Sequence, residues 1–224
     1  MTNDLYCEFC NKNFVREKNY LKHKCETMKR YELFNTMDGQ FAFLAFNTWR
    51  KFKNYPPIKV ETFTTSRYFK SFINFAVYSN KQAIPDRIGF IKLMVEKDLQ
   101  PFYWCDYDVY DMFLKNFDET YSIDEKIDIS LTTLKDWAEN HECPINEIYT
   151  KIHAIEIIKM ITARQLSPCI LLPSKKFKHY FMNITDEERT LFSSFVDVPK
   201  WKHLFHNQPL VLDTIKKIHQ YMDI

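Results

Sequence analysis

The sequence predicts a mostly α fold: a small ββα-type finger held by a metal over residues 1–30, then a compact multi-helix domain over 31–224. Three observations point to it. Cys7, Cys10, His23 and Cys25 crowd into the first tenth of the chain, as metal ligands do. Glycine is almost absent, with only Gly39 and Gly89 among 224 residues, so few positions suit the φ > 0 turns of hairpins and sheets. Apolar residues recur at spacings of three and four along most of the chain. Hydrophobic content of 46% with 17% aromatics excludes a disordered chain.

The ligand spacing is C-x2-C-x12-H-x-C, with Phe14 four residues after the second cysteine and Tyr20 three before the histidine. A segment of about thirty residues buries too little to fold alone, so metal binding must supply its folding energy. Thiolates and imidazole at this spacing select Zn2+. These residues resemble the C2H2 zinc-finger family, with Phe14 in the aromatic slot and Tyr20 in the leucine slot. The departure is at the fourth ligand. The family's second histidine falls at Thr27, Met28 or Lys29, none of which binds zinc, and Cys25 is the nearby candidate. Two residues along a helix lie roughly 200° apart. The last turn must therefore loosen before His23 and Cys25 face one ion, which makes this a shortened C2HC variant.

The resemblance implies that Arg16, Lys18, Asn19 and Lys22 face a DNA groove, where Arg and Lys donate to guanine and Asn pairs with adenine. Lys12, Lys24, Lys29 and Arg30 extend the positive surface toward phosphates. Residues 1–30 hold seven basic side chains (Lys12, Arg16, Lys18, Lys22, Lys24, Lys29, Arg30) against four acidic ones (Asp4, Glu8, Glu17, Glu26). That is +3 against +2 for the whole chain, so the finger is the polyanion-facing end.

After the finger, residues 27–37 read as a linking helix. Residues 38–53 form an amphipathic helix through Phe41, Leu44, Ala45, Thr48, Trp49 and Phe52, and the prolines at 56 and 57 mark a loop. One helix is expected over 62–80, with Phe69, Phe72, Ile73, Ala76 and Val77 on one face, followed by helices over 86–97 and 106–117. Ser122 with Glu125 is a capping box that opens a longer helix, and Thr185 with Glu188 is a second. Residues 151–165, though rich in isoleucine, have helical length and spacing. Residues 167–172, between two prolines, are the best place for a short extended piece. The last helix, 209–221, is expected to bury Leu210, Leu212, Ile215 and Ile218.

Taken whole, the layout is similar to uncharacterised proteins of large T4-like tailed phages, and its Lys, Asn, Ile and Phe bias suits an AT-rich genome. That similarity implies an infected bacterium as the setting. Two glycines exclude a P-loop or a GxGxxG loop. No apolar run reaches the roughly 20 residues of a membrane span, and Cys105, Cys143 and Cys169 read as free thiols, so the protein is expected to be intracellular. Asp106, Asp108 and Asp111 could hold Mg2+, but acidic residues also favour a helix's first turn. His203 and His206 share a helical face without a third ligand. The stretch 173–181 mixes Lys175, Lys176 and Lys178 with Phe177 and Tyr180, a combination of phosphate-binding charge and stacking surface. Further basic patches lie at Arg67 and Lys70 and at Arg50, Lys51 and Lys53.

The expectation is a non-enzymatic, regulatory nucleic-acid-binding factor that contacts DNA or RNA through the finger, its helical body adding backbone contacts or recruiting a protein. The alternative is an adaptor gripping a polymerase or replisome subunit. A metal-dependent nuclease built on the three aspartates is the remote third.

Overall fold

The computed structural model describes residues 5–224. Asp4, counted in the charge of the finger, lies outside them. Mostly helical as expected, the described chain divides into two compact units. The first runs up to Lys81 and resumes over Arg87–Phe113; the second comprises Gln82–Asp86 and Leu114–Ile224.

The first unit opens with a two-stranded antiparallel ribbon, β1 (Leu5–Tyr6) and β2 (Asn13–Phe14), with Leu5 opposite Phe14 and Tyr6 opposite Asn13. A short helix α1 (Glu17–Leu21) follows, then α2 (Glu26–Phe34) and α3 (Met37–Phe52). Between these last two helices the chain turns within two residues. Thr36 caps α3 by accepting the Gly39 N–H at 3.1 Å and donates back to Leu33 O at 2.7 Å. Gly39 is required by close approach: a Cβ there would collide with the Leu33 carbonyl oxygen and lie 2.5 Å from the Phe34 Cα.

Next come α4 (Val60–Thr65), α5 (Phe69–Lys81), α6 (Arg87–Glu96) and a 3-10 turn at Pro101–Tyr103. The helix α7 (Tyr107–Thr120) begins in the first unit and ends in the second. Packed against α3 are α5 and α6, around an aromatic core of Phe46, Phe63, Phe72, Phe75, Phe90 and Trp104. Ring centroids there stand 5.1–5.2 Å apart for Phe46–Phe72, Phe75–Trp104 and Phe75–Phe90, the separation at which aromatic pairs add to area burial. Trp104 Nε1 is satisfied by Leu99 O at 3.1 Å.

Two expectations about this unit are corrected. The buried stripe of α3 runs through Ala42, Ala45, Phe46 and Trp49, leaving Leu44 exposed. Residues 41–46 are apolar all round, so periodicity does not choose the face, whereas two alanines let α5 and α6 approach. The single helix expected over 62–80 is two helices. Ser66 is extended (ψ 145°) and its hydroxyl accepts the Tyr68 N–H, while Arg30 takes up the freed carbonyls of Thr64 and Ser66 at 3.0 and 3.3 Å. Those contacts help to satisfy the end of α4, where Ser66 O also accepts the Phe69 N–H at 3.2 Å.

The second unit is built from α8 (Ile123–Asn140), a 3-10 turn (Ile145–Glu147), α9 (Ile148–Lys151), α10 (Ala154–Thr162), α11 (Pro168–Leu171), α12 (Lys175–Asn183), α13 (Asp186–Phe195), α14 (Val198–Asn207) and α15 (Pro209–Met222). Both capping boxes form, Ser122 with Glu125 and Thr185 with Glu188. Leu134, Ile148, Ile157, Cys169, Ile170, Leu171, Phe177 and Ile215 fill the core.

The stretch expected to be extended at 167–172 is instead helical. Pro168 at the first helical position supplies a helical φ, and the Ser167 hydroxyl accepts the Cys169 N–H. The isoleucine-rich stretch is helical only from Ala154, because Ile152 is extended and ends α9. In α15 the inward stripe is Val211, Ile215, Ile218 and Met222, and Leu210 is exposed. No described helix is long and apolar enough to cross a membrane.

With so little glycine, left-handed positions fall to other residues: Asn11, Asn54, Ala83, Asp98, Glu142, Arg164 and Asp223 all have φ between 49° and 61°. All but Asn11 end helices. At five of these six the N–H one residue beyond bonds back five residues, Tyr55 to Arg50, Leu99 to Met94, Cys143 to Ala138, Gln165 to Met160 and Ile224 to His219, at 2.8–3.2 Å. This closure satisfies terminal carbonyls while forgoing glycine's freedom.

Candidate metal centre

The site begins with a tight turn between β1 and β2. The Cys7 N–H donates to Lys12 O at 2.9 Å and the Asn11 N–H donates to Cys7 O at 2.7 Å. Asn11 takes the left-handed conformation (φ 55°) that Asn tolerates better than most residues. This turn brings Cys7 and Cys10 to one side of the ribbon. Helix α1 ends at Leu21 with Lys22 as its cap, and residues 23–25 are non-helical. His23 is thereby freed from the helical register that would have pointed it away from Cys25.

Cys7 Sγ and Cys25 Sγ stand 3.8 Å apart, and Cys10 Sγ lies 3.3 Å from His23 Nε2. All four ligand atoms fall within 4.8 Å of one another. Two sulfurs each bonded at about 2.3 Å to a tetrahedral zinc would be about 3.8 Å apart, and a sulfur and a nitrogen about 3.6 Å. A metal ion fits this group, and its donors and distances are compatible with zinc in a C2HC site. Behind the ligands, Phe14 packs on the His23 ring at 4.7 Å and edge-on to Tyr20 at 5.8 Å.

Burial opposes ionisation of the Cys7 thiol. Hydrogen bonds from the backbone at Phe9 and Cys10, with the neighbouring thiols of Cys10 and Cys25, outweigh it and hold Cys7 below the usual cysteine range. A thiol biased toward thiolate is the form that binds metal. Cys25 serves twice. Its sulfur accepts the Met28 N–H at 3.4 Å and so caps α2. Phe9, from the turn between the cysteines, packs on Tyr31 of α2 at 5.3 Å.

Around this centre Arg16, Lys18, Asn19, Lys22, Lys24 and Lys29 are all solvent-exposed. Arg30 turns inward. Beyond its carbonyl contacts it pairs with Glu26 at 3.2 Å and lies over the Phe69 ring at 5.4 Å. On α12, Lys175 and Lys178 are exposed, but Lys176 pairs with Asp223 at 2.9 Å. Phe177 is buried, and Tyr180 packs on Tyr149 and donates to Ile152 O. The aromatics of that stretch therefore belong to the core.

Among the described residues the Cys7 group is the only convergence of three or more histidine, cysteine or acidic side chains suited to a metal. Asp106, Asp108 and Asp111 form none, and His203 Nε2 is taken up by Asn207 at 2.8 Å. The sequence reading missed that the basic patches at Arg50 and Arg67 meet, with Trp49, Tyr55 and Tyr68 between them. The adjacency of Trp49 to Arg50 and of Arg67 to Tyr68 was the available signal. Comparison of the chain with protein families, curated proteins and solved structures finds no match.

Proposed function

We propose that the protein is a non-enzymatic, regulatory nucleic-acid-binding factor whose finger carries Zn2+ and contacts DNA, or RNA, through Arg16, Lys18, Asn19 and Lys22. One observation carries this reading: these four, with Lys24 and Lys29, are all exposed around a ligand cluster that fixes the backbone presenting them. Lys175 and Lys178 add phosphate contacts from the second unit. A single finger reads only about three base pairs, so its role is anchoring, with a protein of the replication or transcription machinery as second partner. The phage-like layout and the Lys-, Asn- and Ile-rich composition support an infected bacterium as the setting.

The test is a salt-titrated binding assay on the zinc-loaded chain. Affinity is expected to fall steeply with salt, and each lost phosphate contact to flatten the log–log slope by about 1. Arg16→Ala and Lys22→Ala should each weaken binding. No retention on DNA or RNA at about 50 mM salt would end this reading.

One observation favours a protein partner for the finger itself. Val15 is fully exposed and Leu21 is 74% exposed, so apolar surface lies beside the basic residues. A partner that stays bound after nuclease treatment, and is lost on Val15→Ser with Leu21→Ser, would establish that adaptor reading.

A further inference from the structure

In the first unit, the loop after α3 is tied back onto that helix. The Tyr55 N–H donates to Arg50 O, Arg50 Nε donates to Pro56 O at 2.8 Å, and Asn47 Oδ1 accepts the Ile58 N–H at 2.9 Å. Between this loop and the corner joining α4 to α5 lies a cleft of about 610 Å3. Trp49, Arg50, Lys53, Tyr55, Arg67 and Tyr68 give it its character, and no acidic residue lines it.

The cations are held against rings. Arg50 lies 5.5 Å from the Tyr55 centroid and Arg67 4.7 Å from that of Tyr68. Lys53 is offset by Asp98 at 3.0 Å, but among the described residues the two guanidinium groups have no carboxylate partner. Among the described residues Arg50 uses only Nε, and Arg67 donates from Nη2 to the Tyr68 hydroxyl at 2.7 Å, which leaves terminal N–H groups on both unbonded there. Trp49 is nearly fully buried, and its Nε1–H has no acceptor among the described residues.

Planar forks of this kind recognise phosphate oxygens. The ring of Tyr55, 54% exposed, offers a face on which a base can stack. A simple anion would leave the aromatic wall unused, and an apolar ligand would strand the guanidinium groups. We infer that the cleft binds one nucleotide unit, its phosphate on Arg50 and Arg67 and its base against Tyr55. The inference rests on the nucleic-acid reading above and adds a second site to the finger. The nucleotide can be free or part of a strand.

The full-length, zinc-loaded chain is titrated with a fluorescein-labelled oligothymidylate of about twelve nucleotides and separately with thymidine monophosphate. Arg50→Gln with Arg67→Gln should weaken oligonucleotide binding at least about 10-fold, and Tyr55→Ala about 5-fold or more. Oligonucleotide binding weakened by the double variant, with no mononucleotide binding, identifies a strand site; mononucleotide binding abolished by the double variant identifies a free-nucleotide site. Wild-type affinity in the double variant, alongside a weakened Arg16→Ala, Lys22→Ala protein, overturns the cleft and leaves the finger reading intact. Failure of the wild type to bind either probe at low salt removes both. Tyr55 is an exposed ring on a loop, so its truncation spares the fold. Unchanged affinity in Tyr55→Ala overturns the cleft even where the arginine pair proves needed for folding.

Discussion

The sulfurs of Cys7 and Cys25 meet at 3.8 Å across eighteen residues of chain, and the second of them is also the N-cap of α2. Ligation and helix initiation therefore share one atom, and substitutions can separate them. Cys25→Ser keeps an oxygen able to accept the Met28 N–H but is a poor zinc ligand, so metal content should fall with the helix cap retained. Cys25→Ala removes both, and should be less stable than Cys25→Ser by about 1 kcal/mol. Metal stoichiometry and urea unfolding of the two variants check this. Equal stability would mean that the cap contributes nothing.

Gly39 is placed where the end of α2 crosses the start of α3. Because a Cβ would strike backbone rather than a movable side chain, Gly39→Ala should destabilise the first unit by about 1–3 kcal/mol, despite alanine's better helix propensity. Thermal or urea unfolding followed by circular dichroism measures it, and a neutral or stabilising outcome would show that the crossing relaxes freely.

Glu142 presents the opposite case. It is an exposed residue held left-handed (φ 49°) after α8, with Cys143 N–H bonded to Ala138 O at 3.0 Å. Glu142→Gly should stabilise the protein by about 1 kcal/mol by removing the left-handed penalty. A lower unfolding midpoint would contradict the assignment.

His219 is buried in the second unit with no partner for Nε2 among the described residues, and burial, only partly offset by a hydrogen bond at the Ile170 backbone, pushes its pKa below the ordinary histidine value. The folded state thus takes up this proton later than the unfolded chain. Its contribution to stability is intact above pH 6.5 and is lost progressively as the pH falls from there through the depressed folded value. Urea midpoints at pH 7.5 and 5.5, each about a unit from the ordinary histidine value, should differ more in the wild type than in His219→Gln. An equal difference in both would exonerate His219.

Local chemistry in the chain was readable wherever few residues settle it. Cys7, Cys10, His23 and Cys25 announced their convergence by spacing alone, and the boxes at Ser122 and Thr185 by a three-residue signature. What could not be read depends on partners distant in sequence. Arg30 counts as one more surface charge until α4 is seen ending beneath it. Leu44 and Leu210 have the right hydrophobicity for a core, but Ala42, Ala45 and Val211 decide which arc of each helix turns inward. The proline-bounded stretch at 167–172 misled because Pro168 serves equally well as a strand edge and as a first helical residue, and the Ser167 hydroxyl tips the balance.

Since the last ligand of the finger is the first cap of the next helix, no slack chain separates the metal from α2. The joint is set by the Cys25 cap itself, so the chain between the ligand cluster and α2 carries little freedom to be lost. A force or torque applied at the finger would pass directly into α2, and from there through the tight corner at Gly39 into α3, on which Arg50 stands. The ligand cluster is thus joined to the body of the first unit with no flexible segment between them.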